Sequence, residues 1–229
     1  MTVKHFDLSG KNAVVIAADN PAGKAIADAW LEAGAQVKTL AQRPAKETRD
    51  ALEVAIRELG GLQLMAAAPD LFIAKPFTEV VIEDIANTMM ANFTTTFVAS
   101  QVAVSAIRAS GEGGNLVLVT NALGERGLPN TSIYSAAHGA VFNFIRALAL
   151  EVAPEGISVN GIELGWMDWM EDRLDPKDES AQRAIRFTML KSSGRAEDIG
   201  PLATWLAGSA VGFVTGQIFA VDGGLTQHL

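Results

Sequence analysis

Tyr134 and His138 lie four residues apart in the stretch "IYSAAHGAVF", so on a helix they share one face and can touch. A phenol beside an imidazole can move a proton near neutral pH, because histidine titrates there. The same spacing also serves plain helix packing. A second group, Trp166, Met167, Trp169 and Met170, could line an apolar pocket or seat a covering segment on the core. The third is the stretch "NAVVIAADNPAGKAIADAW", which runs from a buried strand through a tight turn into a helix. Such a turn can present helix N-terminal amides to a pyrophosphate, given glycines that let the backbone bend and come close. Only Gly23 is present. Ala17 is poorly suited to a positive φ, and Pro21 has a fixed φ and no amide proton. Asn20 as N-cap and Pro21 as first helical residue instead make a well-formed helix start. With no cysteine and three separated histidines, no disulfide, thiolate nucleophile or metal site is expected.

The elements that must position these residues follow from periodicity. Apolar runs at Ala13–Ala17, Gln36–Leu40, Leu62–Ala67, Asn115–Thr120, Ile157–Ile162 and Gln217–Val221 read as strands, with helical patterns between most of them. That alternation predicts an α/β fold, a parallel sheet with helices on both faces, whose ligands sit at the carboxyl ends of the strands. The 229 residues, 49% of them hydrophobic, suit one domain over 1–229 with a substantial core. A net charge of −8 without a basic block argues against nucleic acid and anionic membrane surfaces as partners. No signal peptide and no uninterrupted membrane-length apolar run is visible, so a cytoplasmic protein is expected. The irregular stretch 166–187 reads as a lid. Its acidic residues, Asp168, Glu171, Asp172, Asp175, Asp178 and Glu179, form a solvated face that disfavours a phosphorylated substrate.

The segments "IYSAAHGAVFNFIRALALEVAPEGISVNGIELGW" and "GRAEDIGPLATWLAGSAVGFVTGQIFAVDGGLT" closely resemble the short-chain dehydrogenase/reductase family, and the resemblance spans nearly the whole chain. It implies a Rossmann-like doubly wound sheet. It also implies dimers or tetramers built on two long helices, here Ile82–Ala109 and Ile133–Val152. Set against the family's TGxxxGxG loop, "IAADNPAG" keeps only Gly23. Beyond the second strand Arg43 matches the pattern of NADP users rather than NAD users. Only "PAKETRDALEVAIRELGG" then precedes the next strand, which leaves room for about one helix. The family's third strand, and with it the wall beside the adenine, is expected to be missing. The NNAG motif corresponds to "AAPD", Ala67 to Asp70. Asn92 fits the family's structural asparagine and Tyr134 its catalytic tyrosine, while Asn121 stands at the serine position and His138 at the lysine position. Gly165 keeps the glycine of the family's PG turn, and Trp169 falls where a threonine often meets the nicotinamide amide.

The usual lysine holds a tyrosinate and the nicotinamide ribose, which a neutral histidine does less well. Asn121 can donate to a carbonyl as serine would. Three readings follow. The first is a non-catalytic subunit, in a homo-oligomer or paired with an active relative. The second is a cofactor-independent lyase or isomerase using Tyr134 and His138 on a small apolar carbonyl or alcohol. The third is an atypical NADP-dependent reductase. No cofactor is expected, and NADP before NAD if any.

Overall fold

The computed structural model describes residues 4–173 and 185–227. Six strands form one sheet in the order β2-β1-β3-β4-β5-β6, every neighbouring pair parallel. They are β1 Asn12–Ile16, β2 Gln36–Leu40, β3 Leu64–Ala67, β4 Gly114–Asn121, β5 Ile157–Leu164 and β6 Ile218–Val221. The strands alternate sides as a sheet covered on both faces requires. Val15, Ala66, Val117 and Ile162 face the layer of α1 (Pro21–Glu32) and α6 (Gly200–Ala207), around Trp30 and Leu206. Val14, Met65, Leu116 and Val159 face α2 (Ala45–Leu59), α4 (Thr95–Ser110) and α5 (Ser132–Val152), around Leu52, Ile107 and Ile145.

Only α2 connects β2 to β3, and β2 is the edge of the sheet. The expected loss of one strand is therefore what the fold contains: the chain returns from β2 across β1 directly to β3. The switch point of the sheet lies between β1 and β3, where open α/β sheets form their ligand crevice. The expected helix Ile82–Ala109 is interrupted. α3 (Ile82–Met89) passes into a π-helical turn, Met90–Thr94, before α4 begins. The region from Ser132 to Glu155 is long and apolar enough to cross a bilayer. Yet α5 lays Ala137, Val141, Ile145 and Ala149 against the sheet, as a core helix does.

Candidate functional site

Four loops at the carboxyl ends of the strands converge on the switch point, and hydrogen bonds stitch them together. After β1, Ala17 adopts φ +60°, a correction to the expectation that alanine would avoid it. Its cost of about 1–2 kcal/mol is offset by the bonds that pin the turn: Ala18 N donates to Leu40 O and Asn20 N to Ala17 O. β1 accordingly ends at Ile16 rather than Ala17. Asn20 is the N-cap of α1, accepting from Gly23 N at 2.8 Å, with Pro21 first in the helix. Its Nδ2 also reaches across the switch point to Ala68 O at 2.6 Å. Gly23 permits close packing of α1 on the turn, since a Cβ there would lie 2.2 Å from Ala17 O.

The loop after β2 is tied on both sides. Gln42 N donates to Asp19 Oδ1 at 2.7 Å, and Asp70 N donates to Gln42 Oε1 at 2.9 Å. Arg43 beside it is half-buried, and its carbonyl accepts from Thr48 Oγ1. Gly165, after β5, packs so closely that a Cβ would lie 2.5 Å from Asp222 Cα.

Tyr134, on the first turn of α5, is 1% exposed and donates its hydroxyl to Asp70 Oδ1 at 2.9 Å. Asp70 Oδ2 pairs with the Arg173 guanidinium, which also lies 5.4 Å from the centre of the Phe72 ring. Burial first, then the charge of Asp70, pushes the Tyr134 phenol well above its ordinary range. His138 is 3% exposed, its ring centre 4.4 Å from that of Tyr134, so the expected pair does meet. The two are not hydrogen-bonded through the phenol, however. The Thr120 hydroxyl sits 3.3 Å from His138 Nδ1, and Nε2 has no partner among the described residues. Burial lowers the imidazole to about 4, so it is neutral near pH 7. This corrects the expectation of a neutral-range acid and base at a pocket mouth: both side chains are enclosed, and the phenol proton is held by Asp70.

Asn121, 6% exposed at the end of β4, accepts from Leu123 N at 2.9 Å. Asn92 lies in the π-turn and clamps the Leu71 peptide, accepting from its N at 2.7 Å and donating to its O at 3.0 Å. That clamp fixes the loop carrying Asp70 and Phe72. A mostly apolar cavity of about 110 Å³ is lined by Phe72, Asn121, Tyr134, Trp166 and Arg173, among others, small beside the roughly 300 Å³ and upward of ordinary ligand pockets. Behind it, Asn20, Asp70, Asn121, Tyr134, His138 and Trp169 enclose only about 10 Å³.

Among the described residues no group of three or more side chains is arranged to hold a metal ion. Of the acidic residues expected on the lid, Asp175, Asp178 and Glu179 lie outside the described residues, as does 174–184 as a whole. Asp168 accepts from Trp169 N.

Three partners in this site escaped sequence reasoning. Asp70 was seen only as a departure from a motif, while Arg173 and Thr120 were not singled out. Glu163 was also missed. It is 4% exposed on β5, between Thr120 of β4 and Ala220 of β6, and its Oε1 has no partner among the described residues. Burial, followed by the charges of Glu125 and Asp222, raises its carboxyl to about 7.

Residues 45–226 match the family model described as enoyl-(acyl carrier protein) reductase. A tropinone reductase homolog of Arabidopsis thaliana is 31% identical over 205 residues, covering 86% of this chain and 75% of the relative. A blue fluorescent protein from a metagenomic library, solved in complex with NADPH, is 27% identical with a TM-score of 0.85, over 96% of this chain and 99% of that one. An Agrobacterium tumefaciens structure described as a 2-deoxy-D-gluconate 3-dehydrogenase with bound NADP is 26% identical with a TM-score of 0.83, over 98% and 100%. The expectation of no cofactor is overturned by these last two, because structures similar over nearly the full chain hold NADP or NADPH. The fit of such a group to the residues present is uneven. The turn at Ala17 has a positive φ and Gly23 lets α1 approach it closely, but the Gly23 amide is taken by Asn20 and Pro21 has no N–H, and the space beside Tyr134 and His138 does not fit a nicotinamide ring in this conformation.

Proposed function

Because the chain belongs to the short-chain dehydrogenase/reductase family, we propose that it is an oxidoreductase-like subunit that takes a nucleotide of the NADP class without itself transferring hydride. It works in an oligomer of its own copies or beside an active relative. The observation that carries this reading is the destination of the Tyr134 proton. A phenol that donates to Asp70 at 2.9 Å, and whose nearby cation, Arg173, is itself paired with Asp70, has its proton directed to that carboxylate rather than to a carbonyl. The NADP class is supported by the nucleotides in the two similar structures and by Arg43 in the loop after β2. Assembly is supported by exposed Phe77, Val81, Ile82 and Ile85 on and beside α3, and by Leu150 on α5, on the helices expected to meet a second subunit.

A second reading, an atypical NADP-dependent reductase of small carbonyls, is favoured by the 110 Å³ cavity that Tyr134 and Asn121 both line. One experiment separates the two. The purified chain is offered NADPH and a panel of small ketones and aldehydes, with nicotinamide absorbance followed, and its mass is measured by light scattering. Nucleotide binding and a mass above the monomer, with no turnover above background, are expected. Turnover that Tyr134→Phe lowers by about 100-fold or more would establish the reductase instead.

A further inference from the structure

The segment Asp168–Arg173 packs Trp169 and Met170 into the space beside Tyr134 and His138. We propose that it is a latch, held by the Arg173–Asp70 ion pair, and that latch and nicotinamide compete for one space. This rests on the nucleotide-binding reading above.

Trp169 and Met170 from this segment close on Asn20, Tyr134 and His138, leaving about 10 Å³, the volume of a single water site. A nicotinamide ring is many times larger, so it enters only if the segment leaves.

The tie that holds the segment is specific. Arg173 and Asp70 have side chains only 19% and 18% exposed, so solvent screens their attraction little. Asp70 is itself anchored, its amide donating to Gln42 and its Oδ1 accepting a hydrogen bond from the Tyr134 hydroxyl. The guanidinium lies over Phe72, a second hold on the same group. The backbone bonds of the segment reach elsewhere: Met170 N donates to Met167 O, and Asp168 N to Gly194 O. Arg173 therefore supplies the ionic link from the segment to the loop after β3, beside the packing of Trp169 and Met170 near Ala68, Pro69 and Asp70. Arg43, with exposed Asp19 and Pro21, lies in the loops after β2 and β1 outside the space that Trp169 and Met170 close, although Asn20 and Ala22 of the first turn line it.

Two ligands separate the ends. Adenosine 2′,5′-bisphosphate carries the adenosine and 2′-phosphate without nicotinamide, and NADPH carries both. Binding is followed by calorimetry. In the wild type the latch predicts that NADPH binds no tighter than the bisphosphate, within about 3-fold. In Arg173→Gln, and likewise in Asp70→Asn, NADPH should tighten by about 10-fold or more while the bisphosphate stays unchanged. Wild-type NADPH binding about 10-fold tighter than the bisphosphate overturns the latch, with no variant needed. Bisphosphate binding without tightening of NADPH in a folded variant overturns it too, and leaves the nucleotide reading standing. Failure of both ligands to bind wild type and variants overturns the nucleotide reading and the latch with it.

Discussion

Two buried side chains titrate in opposite senses on folding. His138 falls from 6.5 to about 4 inside the protein, chiefly through burial. Between those values the unfolded chain holds the extra proton, so this group's contribution to stability is lost as pH falls from 6.5 to 4. Glu163 rises from 4.5 to about 7, chiefly through burial. Here the folded state holds the extra proton, so the contribution is present below pH 4.5 and is lost as pH rises to 7. Each is worth on the order of 3 kcal/mol across its window at 1.36 kcal/mol per pKa unit, and in the wild type the two largely offset each other. Urea midpoints at pH 5 and pH 7.5 are expected to differ little for the wild type. In Glu163→Gln the protein should become clearly more stable at pH 7.5 than at pH 5, exposing the histidine slope. Equal midpoints in that variant would show that His138 does not titrate as its burial implies.

Neither group could be weighted correctly from sequence. The spacing in "YSAAH" suggests a proton exchanger, and nothing in it reveals that Thr120 and Tyr134 enclose His138. The Asp70, Tyr134 and Arg173 cluster joins residues 64 and 103 positions apart, and local periodicity carries no information at that range.

At the scale of elements, the helix start after β1 was readable because its determinants are adjacent in the chain. Asn20 caps, Pro21 leads, and the structure has both. The positive φ at Ala17 was not readable, because the bonds that enforce it come from Leu40 and from the turn closing on itself. The surviving glycine has a role that does not depend on a nucleotide. Gly23→Ala would drive a methyl to 2.2 Å from Ala17 O, so α1 would have to lift from the turn. Loss of roughly 1–3 kcal/mol is expected, read as a lower melting temperature with no nucleotide present. An unchanged melting temperature would mean that α1 is not seated by this contact. The π-turn belongs to the same scale. It places Asn92 against Leu71 and so fixes the loop bearing Asp70, and no periodicity in "MMANFTTTF" marks it.

At the scale of the molecule, the strand runs and the short interval between β2 and β3 were enough to give the sheet and its missing strand, since strand count depends on chain length available rather than on any contact. The Gly-free stretch from Arg43 to Leu59 had room for α2 alone. That economy has a consequence for molecular discrimination. With β2 at the edge, no further strand among the described residues stands beyond it to wall in a purine or to offer a backbone partner to its exocyclic groups. Recognition at this end would rest on charge, through Arg43, and hardly on the identity of the base. The hypoxanthine analogue of NADPH, in which an oxygen replaces the adenine amine, should therefore bind within about 2-fold of NADPH itself. A preference of 10-fold or more for adenine, about 1.4 kcal/mol, would require a base pocket that the shortened sheet does not build.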